Sequence, residues 1–590
     1  MKSKYLFGLL VLILTACGTT LTDDQKNADA VYLKQVKEYT LNKDGSSTYH
    51  YYHKLLYNSY LSINRLYGET FVVYNPEYQT LKVNKSETTM ADGKKVKSPE
   101  NAYNEVLPFA AADAPAYNYL REMVITHVGL ERGAVVELDY VIQSKIGFQP
   151  FFADRVNLCE TSPVKDEEII VRIPKDEKLN VNFINQPEGL KHKETVDGDY
   201  KVYTWKSINL KAYNHEPLQV EGYALYPFIT FSTVDLTTAF NYLKEKLTNT
   251  FVADDASKKL INNDAKGWEK VNIIRDHVAS NINMYGVQPQ LTGYRFHSPE
   301  AVWQSNGGTD AEKAVLLTEM LKIGGFNAQT VVAGYSHFLN NEIGYLGAFD
   351  KYYVKVDFEN ETRYFSVNDD HSKVPGQRIT IALNDDFSKV NFEKAAKPEL
   401  KYSLNAEITI ASDGKLTGTG KVTMNAKDEN PDLLSGIPSS AYKSTKTNDS
   451  KELKEFSISF TKPDLAEKID GHYILNLPCV AQGVNSIGIG ELPLSRSTSI
   501  ELMGSYNESY TFLFTLPNGY KIISPMNKIS VENSLGSCNI EVTEKDGKVI
   551  VSRNIAINKA IIPAENYNEF RQIMSLWTDK SLNKVVIKTE

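Results

Sequence analysis

Both ends of the chain alternate apolar and polar residues between turn signals. In the first part, alternating segments such as 47–57 and 134–142 are set apart by Asp-Gly pairs, and the last part repeats this arrangement. Such pairs tolerate positive φ at both central residues of a hairpin, so they indicate antiparallel strands. We therefore expect one antiparallel β-sandwich over 30–234 and another over 398–590.

The middle of the chain, over 235–397, has a different pattern. Apolar residues recur there at steps of three and four, which predicts an amphipathic helix over 268–282 and a second helix over 311–323. Gly324 and Gly325 end the second helix. Three strand-like segments follow, over 328–333, 352–358 and 361–367. Helices followed by strands in one stretch predict an α+β domain.

Length and composition agree with a folded protein of several domains. A chain of 590 residues is too long for one core and suggests two to four domains. Hydrophobic residues at 42% and charged residues at 23% are ordinary for globular protein. The net charge of −8 argues against a nucleic-acid partner. The 35 tyrosines, many of them in alternating stretches, favour β-rich domains.

The first residues have the layout of a secretion signal. A basic start precedes an apolar run over 5–14, and a Leu-Thr-Ala-Cys sequence ends at Cys17. The apolar run is about half of the ~20 residues that a membrane-spanning helix needs. Leu-Thr-Ala-Cys resembles the lipobox of bacterial lipoproteins, which implies cleavage before Cys17 and lipid on its thiol. An ordinary cleaved signal with an incidental cysteine is the alternative.

This resemblance carries an expectation about location. We expect a signal peptide over 1–16, then a lipidated Cys17 and a flexible polar tether up to residue 29. Several acyl chains would hold the protein on a bacterial envelope membrane, most simply the outer membrane, on its periplasmic or its surface face. Because no later segment is apolar enough to span a bilayer, the membrane is a partner through the lipid anchor alone.

The remaining cysteines give no framework for folding or metal binding. Cys159, Cys479 and Cys538 are odd in number and far apart in sequence, so neither a disulfide set nor a metal-binding spacing is present. A Cys479–Cys538 bridge and buried free thiols both stay open. We expect no metal and no cofactor.

The middle region carries a family resemblance. A Ser-Pro-Glu-Ala-Val-Trp segment over 298–303 precedes Gly308, which is followed by the second predicted helix. These features resemble the transglutaminase-like, papain-related fold over roughly 160 residues. In that family a glycine lies two residues before the nucleophilic cysteine and a small residue four after it. Gly308 and Ala314 fit, which puts Asp310 at the nucleophile position.

The same resemblance assigns the two other positions of the catalytic triad. Lys351 stands where the family has its histidine, and Ser366 stands where it has its aspartate. A carboxylate is a poor nucleophile toward amides, a protonated lysine cannot accept a proton, and a serine cannot supply the orienting charge. In a shifted register Thr309 would still need a base, but His337 lies before the strand that should follow the histidine and His371 lies after the aspartate position. No cysteine lies between 159 and 479. We therefore expect a degenerate triad and no catalysis.

A structural role also explains the residues at the old nucleophile position. Thr309 and Glu312 have the spacing of a capping box at the start of a helix. Asp310 would then be the first helical residue, where the helix dipole favours negative charge. A sharper hypothesis is that Asp310 and Lys351 form an ion pair.

Both flanking regions resemble domains without an assigned activity. The 30–234 region is similar to the β-rich domain of unknown function that precedes transglutaminase-like domains in bacterial envelope proteins. The matching marks are Asp44-Gly45, an Ala-Asp-Gly-Lys turn over 91–94 and the segment 130–138. The 398–590 region is similar to the β domain that ends such proteins, including the segment 562–570 before a short helix.

We conclude from the sequence that the chain is a non-catalytic envelope lipoprotein, in which a transglutaminase-like domain binds or scaffolds a peptide or protein. An active transglutaminase or cysteine-peptidase-like enzyme with an unrecognised site is the first alternative. A glycan-binding lipoprotein of a nutrient uptake system is the second.

Overall fold

A computed structural model describes residues 21–213, 215–220, 224, 226–368, 378–393, 396–413, 415–425, 432–450, 453–462, 466–488, 492–524 and 527–588. The predicted signal peptide and Cys17 lie outside these residues, as does His371. The chain forms two compact units: unit 1 contains 1–214 and 226–394, and unit 2 contains 215–225 and 395–590. The prediction of a β-rich, multidomain chain is confirmed. The predicted domain limits near 234 and 397 stay predictions.

The first part of unit 1 is a large sheet covered by two small ones. The large sheet has the order β12-β13-β10-β1-β2-β8-β4-β5, and the small sheets have the orders β11-β14-β9 and β3-β7-β6. The strands are β1 (Ala30–Leu41), β2 (Ser47–Tyr57), β3 (Glu69–Tyr74), β4 (Gln79–Thr89), β5 (Lys95–Lys97), β6 (Tyr103–Val106), β7 (Arg121–Thr126), β8 (Val135–Ser144), β9 (Ala153–Asn157), β10 (Val164–Pro174), β11 (Asn180–Ile184), β12 (Lys191–Asp197), β13 (Tyr200–Leu210) and β14 (Phe228–Ser232).

Alternating side chains of these strands form the cores between the sheets. Ile169 and Val171 of β10 pack with Phe231 of β14, and Leu138 of β8 packs with Ile125 of β7. The large sheet differs from the expected purely antiparallel arrangement in one pair, because β1 and β10 are parallel. Asp-Gly turns predict only hairpin neighbours, whereas parallel strands are joined by long connections that leave no such signal.

The residues before β1 also differ from expectation. The structure has a short helix, α1 (Asp23–Asn27), where a flexible tether was expected. A capping box between Thr22 and Gln25 starts this helix, and the Gln25 side chain is 1% exposed and donates to the Asn209 side chain. The Asn58 amide further holds carbonyls of this segment, so 22–28 is folded against the domain.

The second part of unit 1 is a four-stranded sheet, β19-β18-β17-β20, with helices packed on it. The elements of this second part are α3 (Leu236–Leu247), α4 (Asp255–Ile261), α5 (Gly267–Asn281), β15 (Asn283–Met284), α6 (Pro299–Ser305), β16 (Gly307–Gly308), α7 (Asp310–Ile323), β17 (Asn327–Tyr335), β18 (Lys351–Phe358), β19 (Glu361–Phe365) and β20 (Arg378–Ala382). The short helix α2 (Arg65–Gly68) lies in the first part of unit 1. Helix α7 is buried on nearly every side, as its apolar sequence requires. The two predicted helices and three predicted strands correspond to α5, α7, β17, β18 and β19.

Unit 2 is built on a second large sheet with the order β24-β25-β22-β21-β30-β34-β33-β32, in which β21 and β30 are parallel. Helix α8 packs Phe570 and Trp577 into the core of this unit. Its elements are β21 (Glu399–Ile410), β22 (Leu416–Asn425), β23 (Leu434–Ser435), β24 (Tyr442–Asp449), β25 (Leu453–Lys462), β26 (Ala466–Ile469), β27 (His472–Asn476), β28 (Cys479–Val480), β29 (Ile500–Glu501), β30 (Ser505–Thr515), β31 (Lys521–Ile522), β32 (Lys528–Asn533), β33 (Gly536–Lys545), β34 (Lys548–Ile557), β35 (Ile561–Ile562), α8 (Tyr567–Trp577) and β36 (Lys584–Lys588).

Cys159, Cys479 and Cys538 are free and buried, so the Cys479–Cys538 bridge is not formed. Within the part of the chain that the structure describes, no helix is long and apolar enough to cross a membrane.

Candidate functional site

The start of α7 is fixed by side chains that hold its first amides. The Thr309 N–H donates to Glu312 Oε2 over 2.7 Å, and the Glu312 N–H donates to Thr309 Oγ1 over 3.5 Å. The predicted capping box is therefore confirmed. Gly307 lies just before it, and a Cβ there would stand 1.9 Å from the Tyr285 hydroxyl oxygen. Only glycine lets the Tyr285 ring and this turn approach so closely.

Glu312 is the centre of a buried hydrogen-bond cluster that sequence analysis did not find. Its side chain is 1% exposed, and its Oε1 accepts from the His297 backbone N–H over 2.7 Å and from the Tyr117 hydroxyl over 2.7 Å. Burial opposes ionisation of the carboxyl group. The hydrogen bonds from His297, Thr309 and Tyr117 nevertheless outweigh burial and lower the pKa of Glu312.

His297 completes this cluster. Its Nδ1 lies 2.8 Å from Glu312 Oε1, and its ring meets the Tyr117 ring edge-on at 4.9 Å. The hydrogen bond to Glu312 raises the pKa of His297, although partial burial acts against it. The side chain is 36% exposed, so the imidazole is oriented by a carboxylate and still accessible. A histidine held by a carboxylate is the arrangement of a general base. In this cluster the His297 imidazole contacts Glu312 and Tyr117.

Asp310, on the first turn of the same helix, has few partners. Its Oδ1 accepts from the Ala311 N–H over 3.1 Å. Burial raises the pKa of Asp310 to about 6, and the positive charge of Lys351 offsets only part of this effect. Among the described residues no ion pair within 4.0 Å joins Asp310 to Lys351, so Lys351 acts from beyond direct contact. The structure thus differs from the hypothesis of a direct ion pair.

The two other predicted positions lie at strand ends of the same sheet. Lys351 is the first residue of β18, and Ser366 follows β19 and is buried. The Arg275 guanidinium on α5 donates to the Ser366 carbonyl oxygen over 3.0 Å and to the Asn368 carbonyl oxygen over 2.8 Å. These bonds fix the strand end by its backbone. Ser366 therefore occupies a structurally determined place without offering a negative charge.

Next to Asp310 lies a buried phenol. Burial raises the pKa of Tyr352 far above its ordinary value, and the charges of Asp310 and Asp350 raise it further. Within the described residues its hydroxyl oxygen is buried and has no hydrogen-bond partner. Tyr352 also contributes to the raised pKa of Tyr294, whose first cause is burial. Tyr294 also lines a cavity of unit 1, whose lining includes neither Asp310 nor Tyr352.

This cavity has a volume of about 720 Å³ and lies within unit 1. Eight aromatic side chains contribute to its walls, and Asp154 and Glu177 are the carboxylates among the lining residues. Burial raises the pKa of Asp154 to about 6, against the effect of hydrogen bonds from the Arg155 backbone and the Tyr39 hydroxyl. The aromatic members of the lining are Tyr39, Tyr49, Phe148, Phe151, Phe152, Phe231, Tyr294 and Tyr345.

Lys313 carries a charged group of the kind found in active sites, but its contacts give it a structural role. It is 1% exposed, and its ammonium donates to the Ile282 carbonyl oxygen over 2.6 Å and to the Ala279 carbonyl oxygen over 3.3 Å. These carbonyls belong to the C-terminal end of α5 and its continuation, where a positive charge is favoured. Lys313 therefore joins α7 to α5.

The alternative catalytic residues lie elsewhere. His337 is in a short 3-10 helix, Ser336–Phe338, with its ring 4.1 Å from the Phe338 ring centroid. Burial raises the pKa of the Cys159 thiol to about 12 and that of the Cys538 thiol to about 11, so neither is a ready thiolate. Cys479 is also buried, with its pKa raised by burial. Among the described residues no group of three or more His, Cys, Asp or Glu side chains is placed to hold a metal ion.

Comparisons with known proteins bear on all of these regions. Residues 43–214 match a family described as a "Domain of Unknown Function with solved-structure structure (DUF3857)", and residues 474–587 match a second family of the same description, DUF3858. These matches agree with the predicted β domains of unknown function at the two ends of the chain. No curated protein matches the sequence.

Among solved structures, the chain is similar over almost its full length to a protein from Parabacteroides distasonis ATCC 8503 described as a "putative protease". The TM-score is 0.72 and the identity 27%, covering 95% of this chain and 99% of that one. A "putative cysteine protease" from Cytophaga hutchinsonii matches at 11% identity over 37% of this chain and 79% of its own, but the TM-score of 0.17 carries no argument. The chain is thus a multidomain, β-rich protein similar throughout to the Parabacteroides protein.

Proposed function

We propose that the protein is a non-catalytic lipoprotein of a bacterial cell envelope, and that its transglutaminase-like central region binds a peptide or protein segment. The observation that carries the proposal is the identity and state of Asp310. It stands at the start of α7, where the family resemblance places a nucleophilic thiol, and burial raises its pKa to about 6.

The chemistry of the three positions supports a binding role. Attack on an amide requires a strong nucleophile, a base that accepts its proton and a group that orients the base. Asp310 supplies a weak nucleophile, Lys351 a cation, and Ser366 a neutral hydroxyl. The described cysteines are buried in other parts of the chain, so none supplies a thiol at α7.

A cavity of unit 1 that Tyr294 and Tyr345 of the central region help to line supports a binding role. A volume of about 720 Å³ lies within the range of ligand pockets, which are mostly apolar with a few oriented polar groups. Here eight aromatic rings supply apolar parts of the wall, and the carboxylates of Asp154 and Glu177 supply hydrogen-bond acceptors. Such a carboxylate accepts a hydrogen bond from a peptide backbone amide or from an amino group.

An enzyme is the second candidate, because the Parabacteroides protein with a TM-score of 0.72 is described as a "putative protease". His297 is the residue that favours it, since an accessible imidazole is held by a buried carboxylate. This candidate needs a nucleophile that acts with His297 or with Asp310.

Peptide binding and turnover are measured on the same purified chain. We expect a peptide array to identify bound sequences, with calorimetry showing weaker binding after Asp154→Asn. Asp357→Asn is the matched control, because Asp357 is partly exposed and pairs with Lys355 on β18 away from the cavity. We expect neither amide cleavage nor amine incorporation. Turnover that Asp310→Ala or His297→Ala abolishes in a folded protein would establish the enzyme instead.

The lipid anchor is tested separately. Mass spectrometry of the mature protein is expected to show an acylated N-terminal Cys17, and Cys17→Ser is expected to move the chain from the membrane fraction to the soluble fraction. Recovery of unmodified wild-type chain in the soluble fraction would contradict the anchor without bearing on the cavity.

A further inference from the structure

The first part of unit 1 carries an exposed apolar surface, defined here by eight side chains. Four of them are very open: Phe109 at 94%, Tyr60 at 75%, Leu61 at 74% and Leu66 at 64%. The other members are Ile63, Phe71, Val106 and Leu107, each more than a third exposed. Folded proteins rarely leave so many large apolar side chains together in water, and such a patch marks a contact with a partner or a membrane.

These side chains belong to two chain segments that meet in one depression. The depression has a volume of about 870 Å³ and is lined from one side by Ile63 and Phe71 and from the other by Val106, Leu107 and Phe109. Tyr60 and Leu61 belong to a short 3-10 helix, Tyr60–Ser62, directly before Ile63. The exposed side chains therefore form one surface.

The beginning of the described chain is fixed beside this surface. The Asn58 side-chain amide donates to the carbonyl oxygens of Gln25, Lys26 and Ala28, over 3.1, 2.8 and 2.9 Å. The backbone N–H groups of Asn58 and Ser59 both donate to the Asp29 carbonyl oxygen. Since Tyr60 follows Ser59, the segment that leads to the N-terminus is attached to the loop that carries the apolar surface.

The distance from this attachment to the proposed lipid is short. Cys17 lies four residues before Leu21, the first described residue. Four residues span at most about 14 Å even when fully extended, at 3.3–3.6 Å per residue. A lipid on Cys17 would therefore hold the start of α1, and the loop bound to it, close to the bilayer.

We propose that this apolar surface lies against the lipid bilayer in which Cys17 is anchored. The proposal rests on the lipid anchor of the proposed function and adds a second, non-covalent contact to it. Aromatic side chains such as Phe109 and Tyr60 favour the boundary between acyl chains and headgroups. Arg65 lies in the same depression, with its guanidinium 4.9 Å from the Phe71 ring centroid and its Nε 3.1 Å from Glu69 Oε2, so its charge is paired within the surface. The contact fixes the orientation of the first part of unit 1 on the membrane.

The test uses the lipidated, mature chain in vesicles of phosphatidylcholine and phosphatidylglycerol. An environment-sensitive fluorophore is attached through Phe109→Cys, and the matched control is Val252→Cys, 77% exposed in the second part of unit 1. The described native cysteines are buried and leave these thiols to react. We expect a blue shift at position 109 and loss of its fluorescence when brominated lipids are used, with little change at position 252.

The outcomes separate the surface from the anchor. If the chain floats with the vesicles but the two labels respond equally, the surface proposal is overturned and the anchor stands. If the chain does not float and mass spectrometry finds no lipid on Cys17, both fail. In a third outcome, a second copy of the chain shields the label at 109 in detergent, and a cross-linked dimer forms through this position. The surface is then a protein interface, and the proposal is likewise overturned.

Discussion

Asp310 and Glu312 are two residues apart on the first turn of α7, yet their environments differ in nearly every respect. Glu312 accepts hydrogen bonds from Thr309, His297 and Tyr117, whereas the hydrogen bond on the Asp310 side chain comes from the neighbouring Ala311 amide. Burial acts against the charged form of both. The pKa of Glu312 is nevertheless lowered, and that of Asp310 is raised to about 6.

Hydrogen-bond donors, more than depth of burial, therefore decide the charge of these two carboxyl groups. On one face of the turn, donors from distant parts of unit 1 converge on Glu312 and make it part of the architecture. On the other face, Asp310 is left with Lys351 as a distant cation and Tyr352 as a buried neighbour. The first carboxylate holds the fold together, whereas the second accepts its described side-chain hydrogen bond only from the neighbouring Ala311 amide.

Replacement of Glu312 gives the largest expected effect. Glu312→Ala leaves the His297 and Thr309 amides and the Tyr117 hydroxyl without their acceptor, so we expect unfolding free energy to fall by about 3–5 kcal/mol. Denaturant unfolding measures it. Glu319→Ala on the same helix is the control, since Glu319 pairs with the exposed Lys322 and is expected to change stability by about 0.5 kcal/mol. Equal effects would remove the contrast between the two carboxylates.

Asp310→Asn is expected to have the opposite sign. Because the pKa of Asp310 is about 6 in the folded chain and 3.8 ordinarily, the folded state binds this proton more tightly, and stability falls as pH rises through that interval. The variant lacks this penalty. We expect it to be more stable than wild type by about 1–3 kcal/mol at pH 8, with the gain vanishing near pH 4. Denaturant melts at both pH values measure the difference, and a loss at pH 8 would show that Asp310 has a strong partner.

Tyr117→Phe removes a single donor from the Glu312 cluster. One neutral donor to a buried carboxylate accounts for about 1–2 kcal/mol, and the same melts detect it. Tyr119→Phe is the matched control, because the nearby Tyr119 is only partly buried. A Tyr117→Phe variant as stable as wild type would mean that the backbone and His297 donors alone hold Glu312.

His297→Gln has the smallest expected effect and a characteristic pH dependence. The pKa of His297 is raised by Glu312, so its charged form stabilises the fold fully below pH 6.5 and the contribution is lost as pH rises through the folded-state pKa. The stability difference from wild type is expected to be larger at pH 6 than at pH 9. It should stay below about 1 kcal/mol because the partly exposed ring is screened. An NMR titration of the ring checks the direction, and a lowered pKa would contradict it.

The sequence predicts local features of this region well. The capping box of Thr309 and Glu312 depends on residues three apart, and the helix after it follows from its apolar spacing. The strands β17, β18 and β19 are predicted to within a few residues because β-branched and aromatic residues are grouped in each between polar or glycine breaks. Hairpin turns predict the β-rich ends for the same local reason.

What the sequence could not show depends on contacts between distant residues. Tyr117 meets Glu312 across 195 positions, and no pattern near either residue indicates the pairing. The α1 segment lacks helical periodicity, and its order comes from Asn58 and Asn209, which lie far along the chain. The raised pKa of Asp310 likewise reflects burial by the surrounding fold, whereas helix position alone predicts a stabilised negative charge.

The capping box affects which residues at the start of α7 can change during evolution. Thr309 and Glu312 cap the start of the helix, and Gly307 leaves space for the Tyr285 ring. Residue 310 therefore has none of these structural roles. Selection for folding and selection for chemistry therefore act on different residues of the same turn. Substitutions at 310 can be sampled one after another, from carboxylate to hydroxyl to thiol, in a protein that keeps its shape throughout.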